Sequence, residues 1–176
     1  MLGPKTRKNL EDAFAGESMA RNKYDYFAAI FRKAGYVQIA NIFEETALNE
    51  KEHAKLWAKQ LGYISEDVIE DLKAAIAGET HETITMYPQM EKDALEEGHA
   101  DIAKIFKEVG EVEAAHAARY SKLLANIEKG EVFKKSEVKR WKCNNCGHIH
   151  EGTEAPLVCP ACSHPRAHFE VFVETY

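Results

Sequence analysis

Cysteine is missing from the first 142 residues of this 176-residue chain. That absence excludes a disulfide-stapled module over most of the length, which must hold together by packing alone. Proline is scarce, five residues in all, and only Pro88 falls within a stretch of helical pattern. No run approaches the roughly eighteen apolar residues that a membrane-spanning helix needs. No early segment has the basic-then-apolar order of a signal peptide, so the expected location is the cytoplasm. No Gly-x-Gly-x-x-Gly follows a strand-like run, and direct binding of a dinucleotide is not expected. Positive charge is in deficit: 23 Lys and Arg face 29 Asp and Glu, a formal net charge of -6. Such a field does not attract nucleic acid or an anionic membrane. With 45% hydrophobic and 30% charged residues, the composition is that of a globular protein with one ordinary core and some length left for an appendage.

What the sequence does have is a repeat. Ala13-Phe14-Ala15-Gly16-Glu17 returns sixty-two residues later as Ala75-Ile76-Ala77-Gly78-Glu79. Ile39-Ala40-x-Ile42-Phe43-x-Glu45, followed by Glu50-x-x-His53-Ala54, returns sixty-three residues later as Ile102-Ala103-x-Ile105-Phe106-x-Glu108, followed by Glu113-x-x-His116-Ala117. Each half carries a glutamate after Ala-Gly and, about thirty residues on, a Glu-x-x-His. The change of offset marks one inserted residue between the anchors, to be absorbed in a loop or kink.

Apolar residues at three- and four-residue spacing predict helices over 5–33, 37–60, 68–97 and 99–128. Thr6 and Asn9 are candidate caps of the first, Gly35 and Gly62 candidate stops of the first two. Residues 61–69 form a crossover, with Ser65-Glu66-Asp67 as candidate caps, and Pro88 should kink the third helix. Four long helices in two repeated halves fit a bundle, because one helical hairpin cannot bury its apolar face alone. Residues 129–140 read as a charged connector without periodicity. Beyond Trp141, glycine, proline, cysteine and histidine become dense and short extended pieces such as 169–173 appear. That segment is too short for a core of its own and needs a structural metal.

Glu50 and His53 stand three apart on a predicted helix, as do Glu113 and His116, and Glu79 and Glu82, so each pair shares a face. With Glu17 they make five carboxylates and two imidazoles over four helices. Hard oxygen donors with some imidazole suit iron or manganese, and bridging carboxylates hold two cations together. A single Glu-x-x-His is weak evidence; two at matched points of a repeat are strong. Glu45 and Glu108 fall off that face and read as solvated or linking the helices, and Glu44, Glu52, Glu111 and Glu128 as solvated. His81 reads as outward-facing or supporting, His99 as a surface residue. Tyr24 and Tyr87 are either core aromatics or phenols beside a metal centre.

Cys143-x-x-Cys146-Gly and Cys159-Pro-x-Cys162 form two knuckles twelve residues apart. Four thiolates suit tetrahedral zinc or a single iron, and spacing does not choose between them. Trp141, Pro156 and Phe169 supply an apolar surround compatible with electron transfer. His148, His150, His164 and His168 are expected to be exposed, since four thiolates complete the site.

Taken together, Gly16-Glu17, Glu50-x-x-His53, Gly78-Glu79-x-x-Glu82 with Tyr87-Pro88, Glu113-x-x-His116 and the two cysteine knuckles resemble the rubrerythrin family over the whole chain. The resemblance implies a mainly α protein, with a ferritin-like di-iron four-helix bundle over 1–135 and a rubredoxin-like iron-tetrathiolate domain over 138–176. It implies two irons in the bundle and one iron on Cys143, Cys146, Cys159 and Cys162. It makes Glu50 and Glu113 bridging ligands, Glu17 a terminal ligand of the first iron, and Glu79 and His116 ligands of the second. Glu82 and His53 become alternative ligands of the first iron, in the oxidised and reduced states respectively. The implied activity is a non-haem di-iron peroxidase that reduces hydrogen peroxide to water in protection from oxidative stress. Its electrons return through the four-cysteine iron from NADH or NADPH, by way of a separate reductase or rubredoxin, in a homodimer or larger homo-oligomer. Some members of the family exchange helices between subunits through the crossover. A ferroxidase or iron-handling protein of the ferritin type is the alternative, and it leaves the four-cysteine module without a task. Oxygen reduction and a non-enzymatic zinc-ribbon protein are weaker readings still.

Overall fold

The computed structural model describes residues 2–176 and is mainly helical. It divides into two compact units, Met1–Val68 and Ile69–Tyr176. In the first, α1 (Pro4–Lys33) and α2 (Val37–Leu61) form an antiparallel hairpin. Pro4 opens α1 after Gly3, with no side-chain cap, so the candidate caps Thr6 and Asn9 lie inside the helix instead. A proline at the first helical position forfeits only an N–H that had no partner anyway. Gly62 ends α2 with φ +74°, its N–H bonding to Lys59 O and that of Tyr63 to Ala58 O. This left-handed stop satisfies two terminal carbonyls, and the same pair of bonds recurs at Gly35, Gly98 and Gly130.

The buried residues of α2 are small and evenly spaced. Ala40, Ala47, Ala54 and Leu61 fall every seventh residue, joined by Ala58, and Ala28 answers them from α1. A seven-residue period is that of left-handed helix pairs, and alanine there lets the two backbones approach closely. Bulk is concentrated nearer the turn, where Phe43 packs against Phe31 (ring centroids 5.4 Å, stacked), Phe27 (5.7 Å) and Tyr24 (5.7 Å). Such ring pairs contribute about 1 kcal/mol each beyond their buried area.

In the second unit, α3 (Val68–His81) runs into a π-helical turn (Glu82–Met86), then α4 (Tyr87–Glu96), then α5 (Ala100–Glu128). Both the π turn and α4 pack on α5. The expected kink at Pro88 is here a change of helical register. The N–H of Tyr87 bonds back five residues to Glu82 O, and Pro88 sits in the first turn of α4, where its missing N–H is tolerated. This turn also accounts for the change of repeat offset. Glu17 and Tyr24 are seven apart, whereas Glu79 and Tyr87 are eight apart, and the π turn that holds an extra residue lies between them. On α5 the seven-residue period returns, with Ala103 and Gly110 buried and Ala117 and Leu124 partly so.

A three-stranded antiparallel sheet follows, in the order β2-β1-β3, from β1 (Lys134–Cys143), β2 (Ile149–Glu154) and β3 (Phe169–Val171). The expected connector over 129–140 therefore ends inside a strand. Its periodicity is hidden by a bulge, since Lys134 pairs with Glu154 but Lys139 with Gly152. Inward alternation begins at Trp141 and Cys143, which are fully buried with Ala155, Cys159 and Phe169. Trp141 Nε1 donates to Gly152 O at 2.9 Å, so the largest core side chain leaves no polar atom unpaired.

Gly110 yields a prediction. A Cβ built there would lie 3.1 Å from Tyr87 Cβ, closer than ordinary packing allows. Alanine replacing an ordinary mid-helix glycine stabilises by about 1 kcal/mol. Here Gly110→Ala should instead destabilise by roughly 1 kcal/mol through overpacking, read as a lower denaturation midpoint.

Candidate metal centres

The first unit gathers Glu17 from α1 with Glu50 and His53 from α2, and their ligand atoms all lie within 4.8 Å of one another. His53 Nδ1 is 2.9 Å from Glu50 Oε2 and 3.8 Å from Glu17 Oε2. The second unit repeats the set with Glu79 from the end of α3 and Glu113 and His116 from α5. His116 Nδ1 is 2.6 Å from Glu113 Oε2 and 3.5 Å from Glu79 Oε2. The pairs three apart on α2 and α5 reach one point because residues at that spacing stack on one helix face.

These carboxylates crowd one another. A hydrogen bond in which Glu50 is the acceptor raises the pKa of Glu17, helped by burial and by the neighbouring negative charge, while Glu17 and His53 hold that of Glu50 down. Of the two glutamates, Glu17 is thus the weaker acid. Burial raises Glu79 first, and Glu113 adds to it by hydrogen bond and charge. Glu79 Oε2 is buried with no hydrogen-bond partner. A partnerless buried acceptor beside a second carboxylate and an imidazole is the donor set a cation satisfies, so the residues fit iron.

Glu82 lies in the π turn and belongs to neither three-residue cluster, although its charge reaches both Glu79 and Tyr87. The two tyrosines part company. Tyr24 packs among phenylalanines. Burial, with the charges of Glu113, Glu82 and Glu79, raises the pKa of Tyr87 and keeps its phenol protonated. Glu45, Glu108, Glu111, Glu128, His81 and His99 are exposed, and Glu44 and Glu52 pair with Arg32 and Lys55. Trp57 and Gly110 had no sequence signal beyond an apolar stripe and a mid-helix glycine, yet both border the clusters.

In the sheet module, Cys143 Sγ is 3.8 Å from Cys162 Sγ and Cys146 Sγ is 3.7 Å from Cys159 Sγ. A tetrahedron with metal–sulfur bonds of about 2.3 Å has edges of about 3.8 Å, so these four thiols fit one tetrahedral ion. The two knuckles share a backbone design. The Cys143 N–H bonds to His148 O and the Cys159 N–H to His164 O, both at 2.8 Å. Gly147 (φ +79°) and Ser163 (φ +59°) turn each loop through the left-handed region. The histidines expected to be exposed are half-buried. The backbone amides of His148 and His164 favour the Cys146 and Cys162 thiolates, and the His164 and His168 rings pack edge to face at 4.7 Å. Their contribution to the sulfur site is thus made largely by main-chain amides, with the His164 ring adding contacts to the Cys162 thiol and carbonyl.

Matched glutamate–histidine clusters on helical hairpins, with an appended four-cysteine site, define a mainly α di-iron protein with a ferritin-like four-helix domain and a small C-terminal rubredoxin-like domain. Its metal groups are a di-iron centre and a tetrathiolate iron. The family model described as rubrerythrin matches residues 8–124, and that of the rubrerythrin rubredoxin-like domain matches 141–170. Rubrerythrin of Clostridium perfringens is 50% identical, covering 100% of this chain and 98% of its own. Rubrerythrin of Nitratidesulfovibrio vulgaris is 45% identical (97% and 96%), and that of Porphyromonas gingivalis 44% (99% and 93%). The chain belongs to the rubrerythrin family and is a redox enzyme of that di-iron and cysteine-iron type. Among the described residues, no helix is long and apolar enough to cross a membrane.

With metal removed, the four thiols should differ sharply in reactivity. The His164 amide and bonds from neighbouring thiols and Asn145 outweigh burial and bring Cys162 down to about 6. At Cys146 the His148 amide favours the thiolate but is outweighed by thiol–thiol hydrogen bonds and desolvation, which push it up to about 12. Iodoacetamide attacks thiolate. Cys162 should therefore label first at pH 7 and lose its rate as pH falls through about 6, with Cys146 well behind, as peptide mass mapping would show.

Proposed function

We propose that this chain is a cytoplasmic peroxidase that reduces hydrogen peroxide to water and protects from oxidative stress. The reading rests on one observation: two matched Glu-Glu-His clusters occur in the same chain as a tetrathiolate site. When bound, the paired irons supply two electrons to the oxygen–oxygen bond, and the four-cysteine iron returns them one at a time. Reduction of peroxide to two waters also consumes two protons. The Tyr87 phenol, kept protonated by burial and by the charges of Glu113, Glu82 and Glu79, holds one such proton in the second unit.

In this reading Glu17, Glu50, His53, Glu79, Glu82, Glu113 and His116 are the catalytic iron ligands, with Glu50 and Glu113 bridging. Glu82 and His53 would be alternative ligands of the first iron, in its oxidised and reduced states respectively. The position of Glu82 in the π turn supports this, since such turns are frequently found at functional sites. Residues 1–135 form the di-iron domain and 138–176 the electron-relay domain. The donor is an NAD(P)H-dependent reductase or rubredoxin.

The enzyme works as a homodimer or larger homo-oligomer. Support comes from the repeat itself, for Ile42 and Ile105, at equivalent points of α2 and α5, are 56% and 60% exposed. Apolar side chains left open at matched positions mark surfaces for a further protein face.

The test is to reduce the protein fully without air and follow its reoxidation. Peroxide should reoxidise it much faster than oxygen does, and the reverse order would remove the peroxidase assignment. Glu82→Ala should slow peroxide turnover about tenfold or more, the scale for disturbing a metal's ligand environment, while the visible absorption of the four-cysteine iron stays intact.

A further inference from the structure

Trp57 stands four residues after His53 and seven after Glu50, on the same side of α2 as both ligands. Its indole Nε1 is buried and makes no hydrogen bond. The second cluster has the opposite defect, since Glu79 Oε2 is a buried acceptor with no donor. The repeat places Tyr120 where Trp57 would recur, so the indole is particular to the first half. A buried N–H left without a partner is costly, and native structures keep few of them. An acceptor within its influence is Glu17. The indole already bears on that carboxylate closely enough to favour its ionised form, although no bonding geometry is reached.

We propose that Trp57 is a positioning residue for Glu17: once a cation is held by Glu17, Glu50 and His53, the indole N–H donates to the Glu17 carboxylate and fixes its orientation. This rests on the reading of Glu17 as a metal ligand. The chemistry is that of outer-shell bonds around metals generally, in which a neutral donor engages the oxygen not turned to the ion and locks the carboxylate rotamer. Metal binding supplies the drive, because an ion held by one oxygen of the Glu17 carboxylate fixes that group and leaves its other oxygen to accept. The proposal also gives the two halves different tasks. Glu17 is held by a side chain of its own hairpin, whereas the free oxygen of Glu79 has no such restraint.

The test reads the indole directly and needs no turnover. The full chain, labelled with 15N in its indoles and with zinc filling the four-cysteine site, gives two indole N–H resonances, from Trp57 and Trp141. Trp57→Phe identifies the first by its loss, and Trp141 already donates to Gly152 O. Titration with further zinc, a diamagnetic stand-in for ferrous iron, should move the Trp57 proton downfield and leave that of Trp141 in place. Calorimetry should show Trp57→Phe binding this zinc about 10- to 100-fold more weakly, the usual loss when an outer-shell partner is removed. Zinc binding that leaves the Trp57 resonance unmoved overturns the inference, as does unchanged affinity in Trp57→Phe. No binding beyond the four-cysteine site overturns both this and the ligand role of Glu17, whereas a protein inactive toward peroxide that still shows the indole shift overturns only the proposed reaction.

Discussion

Two carboxylates pressed against one imidazole, twice over, are the constraint from which much of this protein follows. Like charges at such range repel, so in the absence of a cation the first pair is driven apart in acidity, Glu17 becoming the weaker acid and Glu50 the stronger. A surface pair would relax by rotating outward. Here Glu50 and Glu113 keep side chains only 16% and 15% exposed, and rigid helices hold them in place. The crowding is therefore stored in the scaffold, and a metal ion relieves it.

The scaffold tolerates that crowding because its helices approach closely on small residues. A seven-residue row of alanines, closed by Leu61, lets α1 and α2 approach with few bulky contacts between them, and the aromatic packing is set toward the turn. The matching row on α5 substitutes Gly110 for Ala47, and Tyr87 occupies the space gained. One missing methyl group thus lets Tyr87 pack close on α5 beside Phe106, where the charges of Glu113, Glu82 and Glu79 reach it. The same logic governs the four-cysteine module, where packing is also minimal. Trp141 and Phe169 seal one side of the thiols, two left-handed turns aim main-chain amides at the other, and the metal replaces the core that so short a segment cannot build.

Near-symmetry makes the departures from it informative. The π turn inserts a residue between Glu79 and Tyr87, places Glu82 at the start of that widened turn and moves Pro88 to a position where it does no harm. The orphaned donor near Glu17 and the orphaned acceptor on Glu79 are a second departure. A perfectly repeated pair of hairpins would offer two identical half-sites; this one offers two that hold their ligands differently.

Most helix limits were legible from three- and four-residue periodicity because these helices are long and end at glycines. The ligand set was legible too, since Glu-x-x-His and the paired knuckles bring residues together through local spacing. Side-chain pattern could not show the bulged start of β1, whose inward residues begin only at Trp141, or the half-burial of His148, His150, His164 and His168. Nor could it convert a change of repeat offset into a π turn, because a loop or a kink absorbs one residue equally well. Sequence by itself determined the duplicated helical design, the residues able to bind metal and the family. Tertiary structure alone decided which carboxylate of the first pair is the weaker acid, which tyrosine feels the charge of the ligands and which buried polar atoms lack partners. Those outcomes depend on distances of a few ångströms between segments remote in the chain, and spacing along one helix does not specify them.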